Sequence, residues 1–286
     1  YMEAISFSFS DAKIEALLDD KALGEVLALA NPISSDLAVM RRTLLSSLLP
    51  CVQYNLNRQQ PRVRFFETGL SFVGQSISEL VQTPSIALVA VGDVWDEQAY
   101  QNRALDFYDL KQLLPAQVDS ARIRYERSKL AFLHPGQSAK LYIDDQYVGW
   151  LGQLHPNTAK QLDLPATWVA QLSLAPLLTL VREQHAITTP SKFPQVRRDI
   201  AILVDSDISL QTLEATIRAA AGELLTDMWL FDVYQGDKVP AGQRSLAFAL
   251  IWQDRTQTLS DEAVKTATDK VVQALTEQHA AQLRDS

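Results

Sequence analysis

Four histidines, one cysteine and scattered carboxylates are the side chains with which this sequence could do acid–base, nucleophilic or metal chemistry. None of His134, His155, His185 and His279 has a cysteine or acidic neighbour at metal-ligand spacing. His134-Pro135 and His155-Pro156 read as turn formers at element ends. Cys51 sits on an apolar helical stripe, where a lone thiol behaves as a small hydrophobe. Asp144-Asp145 has the look of an acid–base pair, but a hairpin tip accounts for it better. There is no Walker loop and no Gly-x-Gly-x-x-Gly run, and Gly149-Trp150-Leu151-Gly152 is too short to cradle a phosphate. Two combinations hold more. Arg64 and Glu67 lie three apart on one expected strand, a cation and a carboxylate on opposite faces of a surface strand with salt-linked neighbours. Asp232 and Tyr234 lie two apart on another, so they share one exposed face. Phe231 and Val233 then point the other way, into the apolar faces of helices. The cations Arg197, Arg198, Lys238 and Arg244 surround that segment in sequence.

The elements that must position these residues fall into two groups. In the first, Ile5, Phe7 and Phe9 alternate with serines and predict a half-buried strand over Ala4–Phe9. Asp11 caps a short helix. Leu44, Leu45, Leu48, Leu49, Val52 and Leu56 recur at helical spacing and predict a long helix over Leu37–Leu56, kinked or restarted at Pro50. Strands are expected at Arg62–Thr68, Ser85–Val91 and Thr167–Leu174, a helix at Ala104–Leu114, and a hairpin of Lys140–Ile143 with Tyr147–Leu151. Glu183–Ser191 is polar and reads as a linker. Beyond it the order is clean: strand Asp199–Val204, a helix capped by Ser209 and stopped by Gly222, strand Leu224–Tyr234, strand Arg244–Gln253, a helix capped by Ser260, and a short strand at Ala280–Arg284. That β-α-β-β-α-β order is the split ferredoxin-like motif. The fold class is therefore α+β.

Composition narrows the function classes. The chain has 286 residues and a net charge of −8. Residues 1–190 carry 16 Lys and Arg against 20 Asp and Glu, and residues 191–286 carry 10 against 14, so each part is at −4. Neither has the basic excess of a protein that grips nucleic acid non-specifically, and any RNA contact must be local. No apolar run approaches the roughly 18–20 residues of a membrane span, so no membrane partner is expected. A single thiol and no signal-like start fit a reducing cytoplasm. Tyr1-Met2-Glu3-Ala4 reads as mid-domain sequence from a longer protein.

A set of segments in fixed order carries a family resemblance. Asn31-Pro32-Ile33-Ser34-Ser35-Asp36 precedes Met40-Arg41-Arg42-Thr43-Leu44-Leu45, then Arg64-Phe65-Phe66-Glu67-Thr68-Gly69, His134-Pro135-Gly136-Gln137-Ser138-Ala139 and Gly149-Trp150-Leu151-Gly152. Further on stand Phe193-Pro194, Arg197-Arg198-Asp199-Ile200, Phe231-Asp232-Val233-Tyr234-Gln235-Gly236 and Thr258-Leu259-Ser260-Asp261-Glu262. Across nearly the whole chain this resembles the C-terminal part of the bacterial phenylalanine–tRNA synthetase β subunit family. The resemblance implies a non-catalytic, antiparallel class II synthetase-like core over residues 1–188 and a ferredoxin-like anticodon-binding domain over 189–286.

The resemblance also implies roles. The β core would pair with a catalytic α subunit in an α2β2 assembly; the Leu-rich helix suits that surface and equally suits a core of its own domain, since both bury the same stripe. The whole enzyme would use ATP and magnesium for aminoacylation of tRNA(Phe), while this part binds no cofactor. A class II site needs an Arg-x-Glu strand and a second arginine after a glycine-rich strand. Arg64 and Glu67 are one residue too far apart and the second element is missing, so the chain alone is expected to be inactive. Asp232 and Tyr234 match the place where the family's C-terminal domain meets the anticodon, a tyrosine to stack an unpaired base and a carboxylate to accept from a base N–H edge. Arg197, Arg198, Lys238 and Arg244 would be backbone contacts. Two other classes stay open on the residues alone. One is an enzyme, either an active class II ligase or an acylphosphatase-like hydrolase; for the hydrolase, Val204-Asp205-Ser206-Asp207 is too acidic for an anion cradle. The other is a ferredoxin-like small-ligand regulatory module with no tRNA role.

Overall fold

The computed structural model describes residues 1–95, 102–113, 122–179, 190–237 and 239–284. The chain divides into two compact units, Tyr1–His185 and Ala186–Ser286. The expected linker lies largely, and the expected 188/189 boundary wholly, outside the described residues.

The first unit carries strands β1 (Met2–Glu3), β2 (Phe9–Ser10), β3 (Val39–Met40), β4 (Val63–Val73), β5 (Val81–Val91), β6 (Ile123–Arg127), β7 (Leu133–Ile143), β8 (Gln146–Leu154) and β9 (Thr167–Ser173). Its helices are α1 (Ala12–Leu17), α2 (Leu45–Leu56), α3 (Phe107–Lys111), α4 (Pro156–Gln161) and α5 (Leu174–Leu178). Seven strands form one sheet in the order β1-β4-β5-β9-β8-β7-β6, antiparallel except for β1 against β4. One core holds the α2 leucines with Val89, Trp150 and Val169; a second holds Leu110 of α3 with Leu141, Leu151 and Leu172.

Local chemistry explains several of these elements. Asp144 and Asp145 take φ of +48° and +64°, the left-handed pair that a two-residue hairpin between β7 and β8 requires. His155 caps α4 by accepting the Asn157 N–H at Nδ1, 3.2 Å away, with Pro156 at the first helical position. Asp106 and Asp109 close a capping box on α3, which spans less than the expected Ala104–Leu114; Leu114 lies outside the described residues.

Three expectations for this unit are corrected. The Ala4–Phe9 alternation does not make a half-buried strand, because Ile5 is 88% and Phe7 66% exposed and only Met2–Glu3 and Phe9–Ser10 pair. The long helix begins at Leu45, not Leu37: Val39–Met40 is a strand, and Arg41, Arg42 and Thr43 turn inward to distant partners. Pro50 sits inside α2. Leu44, Leu45, Leu48 and Leu49 are all buried in their own unit, so they are core and not an exposed partner surface.

The second unit has the expected order: β10 (Val196–Asp205), α6 (Leu210–Ala221), β11 (Leu225–Tyr234), β12 (Gln243–Trp252), α7 (Asp261–His279) and β13 (Gln282–Leu283). The sheet order is β11-β12-β10-β13, antiparallel at every pairing. Ser209 and Ser260 cap the helices by accepting the N–H of Thr212 and Ala263, 3.1 and 3.2 Å away. Leu246, Phe248, Leu250 and Trp252 of β12 share one core with Leu213 and Ile217 of α6 and Val264, Val271 and Leu275 of α7. Both helices therefore cover one face of the sheet.

Candidate nucleic-acid interface

In the first unit the charged residues that could do chemistry are buried and committed to one another. Arg41 donates from Nη1 to Glu67 Oε1 at 2.7 Å and from Nε to the Leu70 carbonyl at 3.1 Å. Ser6 donates to both Glu67 oxygens at 2.8 and 2.7 Å. A Cβ on Gly69 would stand 2.5 Å from Arg41 Nη2, so glycine there makes room for the guanidinium. Arg42 donates to Glu15, Asp19 and the carbonyls of Gly24 and Glu15. Gln171 Oε1 accepts from Thr43 Oγ1 and the Leu44 N–H at 2.7 and 2.8 Å.

Arg64 and Glu67 are both buried, which corrects the surface-strand expectation. Arg64 is spent on the carbonyls of Val63, Val91 and Asp93, and burial pushes its pKa down. Arg41, Arg42 and Arg64 each thus have at least two of their three guanidinium nitrogens committed within the protein. Among the described residues no group of three His, Cys, Asp or Glu could hold a metal.

The second unit offers the reverse arrangement on the sheet face away from its helices. In an antiparallel pair, directly opposed residues share a face. Leu246 and Phe248 of β12 face the helices, so Ser245, Ala247 and Ala249 face away. Asp232 lies opposite Ala247 and Tyr234 opposite Ser245, which puts both on the helix-free face. Asp232 is exposed and Tyr234 half-buried. A Cβ on Gly236 would stand 2.9 Å from Tyr234 Oη, so the phenol packs on bare backbone.

Phe231 and Val233 do not point into the core. They are 48% and 53% exposed: Phe231 because the β11 register slips between Leu230 and Asp232, whereas Val233, opposite Leu246, keeps the helix side of the sheet but is left uncovered there. The extra residue of that bulge is Phe231, and it re-aims its side chain. Met228 and Leu230 make the core contacts instead.

Of the cations, Arg197 lies opposite Ile251 and shares the helix-free face. Asp199 holds it at 2.7 and 3.0 Å, a pairing that raises the Arg197 pKa. Its guanidinium carbon stands 5.4 Å from the Trp229 ring centroid and 5.5 Å from that of Phe231. Arg198, opposite Leu250, is on the helix side and pairs with Asp261 at 3.1 Å. Arg244, opposite Val204, donates to the Ile208 carbonyl at 2.6 Å. Lys238 lies outside the described residues. The structure therefore brings Arg197, Asp232 and Tyr234 to one face, and leaves Arg198 and Arg244 on the other.

Sequence reading missed Trp229, Phe231 and Arg284 on this face. Arg284 stands 5.7 Å from the Tyr234 ring centroid and donates to Ser245 Oγ at 3.2 Å. Trp229 was visible as an aromatic two residues before Phe231; the bulge that sets their direction was not.

The face thus presents stacking surfaces, fixed guanidiniums and the exposed carboxylate of Asp232, a set suited to splayed bases. Residues 1–174 match the family model of the phenylalanyl tRNA synthetase beta chain CLM domain, and residues 191–284 that of the ferredoxin-fold anticodon binding domain. The chain is 90% identical over its full length to a phenylalanine–tRNA ligase beta subunit of Psychrobacter arcticus and 49% identical to one of Acinetobacter baylyi. One of Pseudomonas fluorescens is 41% identical over 99% of the chain. In each case the chain spans 36% of the relative's length. By both matches, the chain belongs to the phenylalanyl tRNA synthetase beta chain family, as a stretch with a synthetase-like core and a ferredoxin-fold domain.

Proposed function

We propose that this chain is the scaffold and anticodon-reading part of a phenylalanine–tRNA ligase, partnered by a catalytic α subunit in an α2β2 assembly in the cytoplasm. Tyr234 stacks an unpaired anticodon base of tRNA(Phe), and Asp232 accepts from a base N–H edge. Alone the chain activates no phenylalanine; ATP and magnesium act on the α partner, and the domains meet at 188/189. The observation that carries this reading is the helix-free face, where Asp232 and Tyr234 stand together in a unit matched by an anticodon-binding family model. The committed state of Arg41, Arg42 and Arg64 supports the inactive core, because phosphate binding needs donors that are free.

The test is Tyr234→Ala in the holoenzyme. Loss of one stacked base costs roughly 1–3 kcal/mol, so KM for tRNA(Phe) rises about 5- to 150-fold. ATP-dependent phenylalanine activation stays unchanged. If both steps fall together, or neither changes, the anticodon role is wrong.

A further inference from the structure

We propose that Trp229 and Phe231, with Arg197 held beside them, form a second stacking station on the helix-free face, taking a second unpaired base of the same RNA loop. This rests on the reading of Tyr234 as the first station and adds residues which that reading does not use.

Three observations carry it. First, the β11 bulge turns Phe231 out to the side that Trp229 occupies, so two large rings stand on one edge strand, 40% and 48% exposed. Trp229 lies opposite Ala249 on β12, and the unpaired Phe231 stands before Asp232, which lies opposite Ala247. Ala249 is fully buried on a face that neither α6 nor α7 covers, so the larger side chains beside it close over it. The result is an exposed aromatic surface beside small residues.

Second, the cation beside these rings is fixed and neutralised. Asp199 grips Arg197 through two hydrogen bonds, and the same guanidinium lies within 5.5 Å of both ring centroids. A pair with no net charge attracts a bare phosphate poorly, but a planar guanidinium beside aromatic rings suits a flat π system. The ligand chemistry is therefore a base and not an anion.

Third, Trp229 stands far from the first station, with Phe231 between the two. Trp229 and Tyr234 lie opposite Ala249 and Ser245, four residues apart on β12, or about 13 Å at strand rise. Bases stacked in a helix step by about 3.4 Å, so two adjacent stacked bases cannot fill both. A single-stranded loop with its bases splayed can.

The experiment measures tRNA(Phe) affinity of the holoenzyme carrying Trp229→Ala, Phe231→Ala, both together, or Trp229→Phe, across a salt series. The double variant should weaken binding at least tenfold, with phenylalanine activation intact. The slope of log Kd against log salt should not change, since no phosphate contact is lost. Trp229→Phe should recover most of the affinity lost in Trp229→Ala. If the double variant binds normally while Tyr234→Ala is weakened, this station is refuted and the first reading stands. If Tyr234→Ala binds normally while the double variant is weakened, the first reading fails and the Trp229–Phe231 station survives. A reduced salt slope, a Trp229→Phe variant no better than Trp229→Ala, or loss of activation would each overturn the proposal.

Discussion

Arginines and carboxylates are used in opposite ways in the two units. In the first, Arg41, Arg42, Glu15 and Glu67 are buried and bonded to each other, to Ser6 and to backbone carbonyls, with Glu15 Oε1 alone of the Glu15 oxygens left without a partner. In the second, Arg197 and Asp199 pair in the open beside exposed rings, and Asp232 stands exposed nearby. The same residue types hold a fold together in one place and stand open at the surface in the other. Residue type does not distinguish the two cases; whether the charge is already committed does. A buried ion pair also gains little net stability over an apolar alternative, yet it is costly to break, because the surviving partner is left charged and unpaired.

The sharpest way to break the comparison is to remove one partner of the buried pair. Glu67→Ala leaves the Arg41 guanidinium buried with its carboxylate gone, and also strands the Ser6 hydroxyl. Unfolding of the chain in urea should show a loss of about 3–5 kcal/mol. A loss below about 1 kcal/mol would mean that the pair is solvated and that the two units do not differ in this respect. Next in size is Leu48→Ala, in the middle of the buried α2 stripe. It should cost roughly 2–5 kcal/mol, the range for truncating a buried leucine. Near-neutral behaviour would restore α2 as an exposed partner surface.

Much of the fold was legible because its signals are local. Ser209, Gly222 and Ser260 mark helix ends, and the alternation Leu246, Phe248, Leu250, Trp252 marks the face that meets both helices. Asp144-Asp145 specified a turn by its tolerance of left-handed backbone. The failures have non-local causes. Alternation at Ile5 and Phe7 shows that they share a face, but not whether that face meets a core. Arg41, Arg42 and Thr43 looked like the first part of a helix, but their partners Glu67, Glu15 and Gln171 are 26, 27 and 128 residues away. The candidate site was half legible for the same reason. Asp232 and Tyr234 followed from strand period, whereas Phe231 depends on a slip in register against β12.

The smallest expected effect separates two neighbours. Arg197 and Arg198 are adjacent and equally basic, so sequence placed both among the RNA contacts. Strand alternation sends them to opposite faces, one beside Trp229 and Phe231 and the other to Asp261 at the start of α7. In the holoenzyme, Arg197→Ala should weaken tRNA(Phe) binding about 2- to 5-fold, the worth of an exposed cation–π contact. Arg198→Ala should leave binding within error. It should also change stability by less than about 0.5 kcal/mol, because the pair with Asp261 is solvent-exposed and screened. The helix N-terminus keeps Asp261 favourably placed without its partner, since a carboxylate there already offsets the exposed N–H dipoles. If Arg198→Ala weakens binding as much as Arg197→Ala, RNA reaches both sides of β10. The helix-free face would then not be where recognition is concentrated.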